Sequence, residues 1–412
     1  DGLCVSNFVG KTAFAAVNLI MPLPMLLGTI GFMLGTGGSA IVGITLGEGD
    51  QKKADRYFTL FLLAALVSVS VLAVLGIVFL RPIAVLLGAK GELLDYAVRY
   101  GRILMVSLPT FALQNMFQSF FVTAEKPHLG FWFTVGAGCT NMVLDVLMVG
   151  IWGWGVEGAA IATFISQLVG GVLPVFYFID RSNSSRLHLC KTSFYSKVLR
   201  DACINGSSEL MTNLSMSLVN ILYNYQLLRL AGENGVAAYG VIMYAAFLFV
   251  AVFVGYAVGS APIVSFHYGA RNHAEVHNLY RKSLRLIAVV AVTLTLASMF
   301  IIPCVARIFV GYDAELLALT SRAFRLYALS FLIMGFNVYA SSFFTALGDG
   351  VTSALISFLR TLAFQVIAIL LLPLLLGIDG IWLAVTAAEL AALAVSAAML
   401  LTKDKVFHYR KA

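Results

Sequence analysis

The stretch N141-MVL-D145-VLMVGIWGWGVEGAAIA-T163 puts a single carboxylate into an otherwise uncharged apolar run from Leu129 to Ile151. A run of that length spans a bilayer as a helix. An aspartate within such a helix costs about 2.5–3.5 kcal/mol on insertion scales, so it is retained for a use. Asn141 stands four residues before Asp145, on the same helical face, and Thr163 lies in the next apolar segment after a short turn. Together they offer the oxygen ligands that a proton or a small hard cation takes. The competing reading is that Asn141 and Asp145 only hydrogen-bond a neighbouring helix.

The rest of the chain is built the same way. Sixty per cent of its residues are hydrophobic and 11% are charged, which marks an integral membrane protein rather than a soluble domain with a large core. Its runs are about twice the length of barrel strands and apolar on all sides, so the fold is all-helical. The five cysteines (Cys4, Cys139, Cys190, Cys203, Cys304) show no paired spacing, which excludes a disulfide framework and a cysteine metal site. A net charge of +7 points to cytoplasmic loops, not to nucleic acid.

Residues Asp1–Asn18 read as a loop leading into a helix, with no signal peptide. Apolar segments follow at about 13–46, 54–80, 95–124, 128–151, 156–179, 198–230, 235–268, 284–306, 316–347, 350–376 and 379–401, eleven in all. Pro22, Pro24, Pro109 and Pro262 inside them suggest bends. With the loop at 48–56 in the cytoplasm, that side collects seventeen lysines and arginines against five in the opposite loops, which sets the orientation. The polar connection 180–197 is then cytoplasmic and divides the chain nearly in two.

An internal repeat runs through both halves at an offset of 221–223 residues. Gly47–Ala54 faces Gly269–Ala274, Arg99–Arg102 faces Arg322–Arg325, Ser119–Phe121 faces Ser342–Phe344, and Gly155–Gly158 faces Gly377–Gly380. The expected architecture is two parallel six-helix bundles related by a pseudo-two-fold axis along the membrane normal. The expected divisions are an N-terminal bundle at 1–179, a linker at 180–196 and a C-terminal bundle at 197–412. Applied to the segment at 198–230, the offset predicts a partner before residue 8, so eleven of twelve helices are expected here, with the first one missing.

Glu209 is a second intramembrane acid. It opens a face that continues through Asn213, Ser217, Asn220 and Asn224 and cannot face lipid. It reads either as the wall of a substrate cavity or as interhelical hydrogen bonding. Gln114 and Gln118 are candidates for the same cavity, with packing as the alternative. Arg99, Arg102, Arg322 and Arg325 read as snorkelling anchors, and Trp132, Trp152, Trp154 and Trp382 as interfacial belts. His267, His273 and His277 read as part of a solvated loop. No phosphate-binding glycine loop and no nucleophile–base constellation is present, so neither ATP nor enzymatic catalysis is expected.

The pattern PLPMLLGTIGFMLGTGGSAIVGITLGEGD-x3-A at Pro22–Ala54, TAEKP at Thr123–Pro127, N-x3-D at Asn141–Asp145 and GxxGAAIAT at Gly155–Thr163, on a twelve-helix plan, resembles the multidrug and toxic compound extrusion (MATE) family. The likeness covers essentially the whole chain and is strongest toward the bacterial DinF-like and MepA-like branch. It implies a multi-pass protein of the bacterial cytoplasmic membrane that exports lipophilic, often cationic, drugs in exchange for protons or sodium ions. Neither a cofactor beyond that ion nor an obligate protein partner is expected.

In the DinF-like branch the cation site draws on an aspartate of the first helix, an asparagine and an aspartate four residues apart on the fifth, and a threonine on the sixth. Asn141, Asp145 and Thr163 match the last three, and the aspartate has no counterpart in this sequence. Another branch uses acids on the seventh and tenth helices; Tyr327–Leu347, the tenth, has Asn337 but no carboxylate. The principal rival is a flippase of the same wider superfamily for a lipid-linked oligosaccharide or polysaccharide precursor. Such proteins carry several cavity cations, whereas Arg360 is the one arginine deep in a segment here. A membrane enzyme would need paired carboxylates or a His/Cys cluster at membrane depth, and the sequence offers neither.

Overall fold

The computed structural model describes residues 2–311 and 313–409, and among them every regular element is helical. The chain divides into two compact units, Asp1–Gly206 and Ser207–Ala412.

The first unit begins with α1 (Gly2–Phe8), where the sequence suggested a loop. It continues with α2 (Lys11–Ile20), α3 (Pro22–Gly47), α4 (Gln51–Leu86), α5 (Glu92–Thr123) and α6 (Pro127–Asp145), which runs into a π turn at Val146–Ile151. Then come α7 (Gly155–Gly171), α8 (Leu173–Ile179) and α9 (Ser196–Asn205). The second unit holds α10 (Ser207–Gly269), α11 (His273–Val310), α12 (Ala314–Ala328), α13 (Phe331–Ala346) and α14 (Gly350–Phe358). A π turn at Leu359–Ala363 leads into α15 (Phe364–Leu376), followed by α16 (Ile378–Thr402) and α17 (Asp404–Phe407). The run α10 is two helices joined at Gly232, whose φ of 60° breaks the helical path.

Eight described helices are long and apolar enough to cross a membrane, or nine if the bent pair α12–α13 is one span. The eleven segments read from the sequence included two that fall short. α5 carries Glu92, Asp95, Arg99 and Arg102 near its start, and the first part of α10 carries Glu209 and a row of asparagines, so both are less apolar than their neighbours. The segment expected at 198–230 is interrupted at Gly206, where the backbone closes on Met33 of α3, leaving α9 as a separate element of the first unit.

The prolines are not the sharpest bends. Pro109 and Pro262 lie inside continuous helices, while Pro22 starts α3. The 46° bend between α12 and α13 has no proline. There the amides of Ser330 and Ile333 each bond three residues back, to Tyr327 (3.0 Å) and Ser330 (3.0 Å), and the tightened turn redirects the helix.

The duplication extends to small local devices. Asp50 caps α4 by accepting from Lys53 N, and Asn272 caps α11 by accepting from Glu275 N. Gly155 and Gly377 have φ of 60° and 59° at the starts of α7 and α16. Arg99 lies 4.0 Å from Glu157, and Arg322 pairs with Asp379 in the same relation. Two of the anchoring arginines thus have carboxylate partners on a neighbouring helix. Trp132, Trp152 and Trp154 are exposed, but Trp382 is buried within the second unit's main core, so it is a packing residue and not part of a belt.

The segment between α8 and α9 is held along the first turns of α4. His188 N donates to Asp55 Oδ1 (3.0 Å), Cys190 N to Thr59 Oγ1 (3.1 Å) and Thr192 Oγ1 to the carbonyl of Arg56 (2.8 Å).

Candidate ion and ligand site of the first unit

Helices α3 and α5 approach closely because α3 presents Gly31 and Gly35 to the backbone of α5 at Ala112 and Met116. On the other side of α5, Gly170 and Gly171 let α7 close on Gln114 and on the carbonyl of Thr110. Between these helices and α6 lies a cavity of about 540 Å³. Met21, Met25, Leu104 and Phe111 supply apolar wall, and Gln114, Asn141, Thr163 and Gln167 supply polar groups.

Asn141 and Thr163 meet across α6 and α7, with Asn141 Nδ2 donating to Thr163 Oγ1 at 3.5 Å. The Thr163 hydroxyl also donates back to the carbonyl of Ala159 (3.1 Å). Asp145 follows one turn after Asn141 and is 2% exposed. It lies where α6 passes into the π turn, marked by Trp152 N bonding five residues back to Leu147 (2.8 Å). Such turns widen a helix and recur at functional positions.

The other candidates separate. Gln114 lines the cavity, whereas Gln118, one turn along α5, is exposed and is not among the residues lining it. Glu209, Asn213 and Asn220 are in the second unit, each half-buried on α10. Asn213 Nδ2 donates to the Glu209 carbonyl (2.9 Å), and Asn220 Oδ1 accepts from Tyr239 (2.6 Å). These bonds are local, whichever role the carboxylate of Glu209 plays.

Two residues escaped the sequence reading. Gln167 is four residues past Thr163 on α7 and reaches the same cavity. Glu389, a further buried acid, was visible in the middle of the segment 379–401, whose other carboxylate, Asp379, opens it.

A model of the MatE family matches this chain twice, over residues 1–147 and 210–371, once in each half. The chain belongs to the multidrug and toxic compound extrusion (MatE) family. Among curated MatE relatives, multidrug export protein MepA of Staphylococcus saprophyticus is 21% identical over 407 residues, 97% of this chain and 88% of the relative. MepA of Staphylococcus aureus is 21% identical over 394 residues, 95% and 86% of the two chains. Among solved structures, MATE in complex with MaL6 matches with a TM-score of 0.92 at 22% identity, over 100% of this chain and 92% of that one. An outward-facing multidrug resistance MATE family transporter matches with 0.92 at 23%, over 100% and 91%. A transporter of the wider MOP superfamily from Pyrococcus furiosus, described as having a binding pocket of reverse polarity, matches with 0.90 at 22%, over 100% and 91%. These likenesses establish the MatE fold for this chain.

Proposed function

We propose that this MatE protein is a secondary active multidrug exporter of a bacterial cytoplasmic membrane, moving lipophilic and cationic compounds outward in exchange for protons or sodium ions by alternating access. The observation that carries the reading is Asp145, buried one turn from the Asn141–Thr163 pair in the wall of the 540 Å³ cavity. That volume falls within the range of about 300–1,000 Å³ typical of small-ligand sites, and the few polar groups in a largely apolar wall suit lipophilic molecules. Methionines in the wall adapt to unlike shapes. A cation taken at Asp145, bound more tightly in one state than the other, shifts the balance between states and so couples ion entry to export.

The names of the MepA relatives support the export reading. Against the flippase, Arg360 is engaged by Glu389 and is not a spare cation for a pyrophosphate. The test is ethidium retention in cells making the native protein or Asp145→Asn at equal membrane levels. Export that disappears in the variant supports both export and coupling. Equal retention in empty, native and variant cells refutes the reading.

A further inference from the structure

Helix α12 is two-faced. Leu316, Thr320, Ala323, Phe324 and Tyr327 are buried, whereas Ala318, Ser321, Arg322, Arg325 and Leu326 follow one another along the opposite side. These five residues line an open recess of about 480 Å³. Arg322 pairs with Asp379 in the first turn of α16, and 69% of the arginine side chain is exposed. A guanidinium has five donors, so one carboxylate leaves most of them for another acceptor. Arg325 is exposed and, among the described residues, forms no ion pair.

These cations stand on the side opposite the lysine-rich loops, where the charge bias of membrane proteins disfavours them. Their depth follows from the duplication. Arg322–Arg325 repeats Arg99–Arg102, and Gly377, two residues before Asp379, repeats Gly155. The turn before Gly155 carries the exposed Trp152 and Trp154, a residue type that sits at headgroup level. The turn before Gly377 carries Leu374 and Leu375, 80% and 83% exposed, a surface suited to acyl chains. The recess therefore opens at the depth of phospholipid phosphates, with apolar, bilayer-facing side chains beside it.

The repeat also sets this face apart from its counterpart. Where α12 has Ala318 and Ser321, α5 has an exposed Asp95 and a buried Val98. Asp95 precedes Arg99 by one helical turn on the same face and offsets its charge. With Ala318 in that place, the arginines of α12 keep theirs. The nearest acid along α12, Glu315, stands seven residues before Arg322, and Asp313 is engaged in capping the helix at Glu315 N and Leu316 N.

We propose that Ser321, Arg322 and Arg325 bind the phosphate of an anionic phospholipid in the leaflet on that side, whose acyl chains lie along the leucines of α15. Two guanidiniums three residues apart on one helical face hold a phosphate between them by charge-assisted hydrogen bonds. The Ser321 hydroxyl donates to a further phosphate oxygen. A zwitterionic lipid brings an ammonium group that the arginines repel, so a lipid of net negative charge, such as phosphatidylglycerol, is preferred.

This goes beyond the export reading, and its test does not depend on transport. The full chain in detergent is titrated with phosphatidylglycerol or phosphatidylcholine, and the lipids retained are counted by native mass spectrometry. The native protein is expected to retain phosphatidylglycerol in preference. Arg325→Gln should weaken that retention about fivefold, the worth of one arginine at an anionic lipid surface. Ala318→Asp, which gives α12 the carboxylate of α5 and removes no cation, should weaken it to a similar degree. Both variants leave the Arg322–Asp379 pair in place and alter exposed positions, so the fold is kept. Arg99→Gln/Arg102→Gln in the first unit should change retention little. Equal retention of the two lipids overturns the proposal, and so does a phosphatidylglycerol affinity unchanged in Arg325→Gln or Ala318→Asp, or lowered as far by the first-unit variant. Displacement of the lipid by an equal concentration of inorganic phosphate makes the occupant a free anion and overturns the assignment to lipid.

Discussion

Two alanine substitutions one turn apart on α3 should have different consequences. A Cβ on Gly31 would stand 2.3 Å from the carbonyl oxygen of Ala112, 2.6 Å from its Cα and 2.8 Å from its carbonyl carbon. Ordinary contact begins at 3.4 Å, and backbone cannot swing aside, so α3 and α5 must separate by 3.4 less 2.3, or 1.1 Å. Overpacking of this kind costs about 1–3 kcal/mol. Alanine's better helix propensity returns about 1 kcal/mol. The net expectation for Gly31→Ala is a loss of up to about 2 kcal/mol. A Cβ on Gly28 instead meets only the ring of Phe111, at 2.4 and 2.5 Å. That side chain can rotate, and it lines the cavity. Gly28→Ala should therefore keep native stability while narrowing the cavity and weakening export of the bulkiest dyes. Thermal unfolding followed by circular dichroism, with dye efflux on the same preparations, reads both effects. A Gly31→Ala protein more stable than the native one, or a Gly28→Ala protein less stable than Gly31→Ala, would refute the reasoning.

Thr163→Val keeps the shape of its residue but removes the Asn141 contact, and should reduce gradient-driven ethidium export less than Asp145→Asn does, as measured by initial efflux rates at equal expression. Asp349, outside the spans, is partly buried, which by itself raises its carboxyl, but hydrogen bonds from Lys403 (2.8 Å) and Thr352 outweigh this and hold it below the usual carboxylate range. Because the folded value is the lower one, the stabilisation is fully present above the ordinary carboxylate range and is lost as pH falls through the depressed value. Asp349→Asn should flatten that acid limb in a plot of unfolding midpoint against pH, and an unchanged limb would count against the pairing. Gly377 has φ 59° and ψ −139°, with no atom within 4 Å of an added Cβ. Gly377→Ala should still cost about 1–3 kcal/mol, purely from the backbone, and a neutral result in thermal unfolding would contradict it.

The amino-acid sequence alone determined the membrane class and the duplication, and it singled out Asn141, Asp145 and Thr163 as candidates. Those signals are one-dimensional: hydropathy follows chain length, a repeat keeps its offset, and an acid in an apolar run declares its cost wherever the helix lies. Tertiary structure decided which side chains meet. Gln114 and Gln118 are four residues apart on one helical face, yet only Gln114 reaches the cavity, because the lining ends within a turn. Trp382 near a segment end looked interfacial but is enclosed by neighbouring helices, and the bend at Leu329–Ser330 has no proline to announce it. Arg360 and Glu389 are twenty-nine residues apart on different helices, and Asn141 and Thr163 twenty-two. Nothing local records such pairings, since they arise from how far each helix rotates and slides when its small residues let it close on the next.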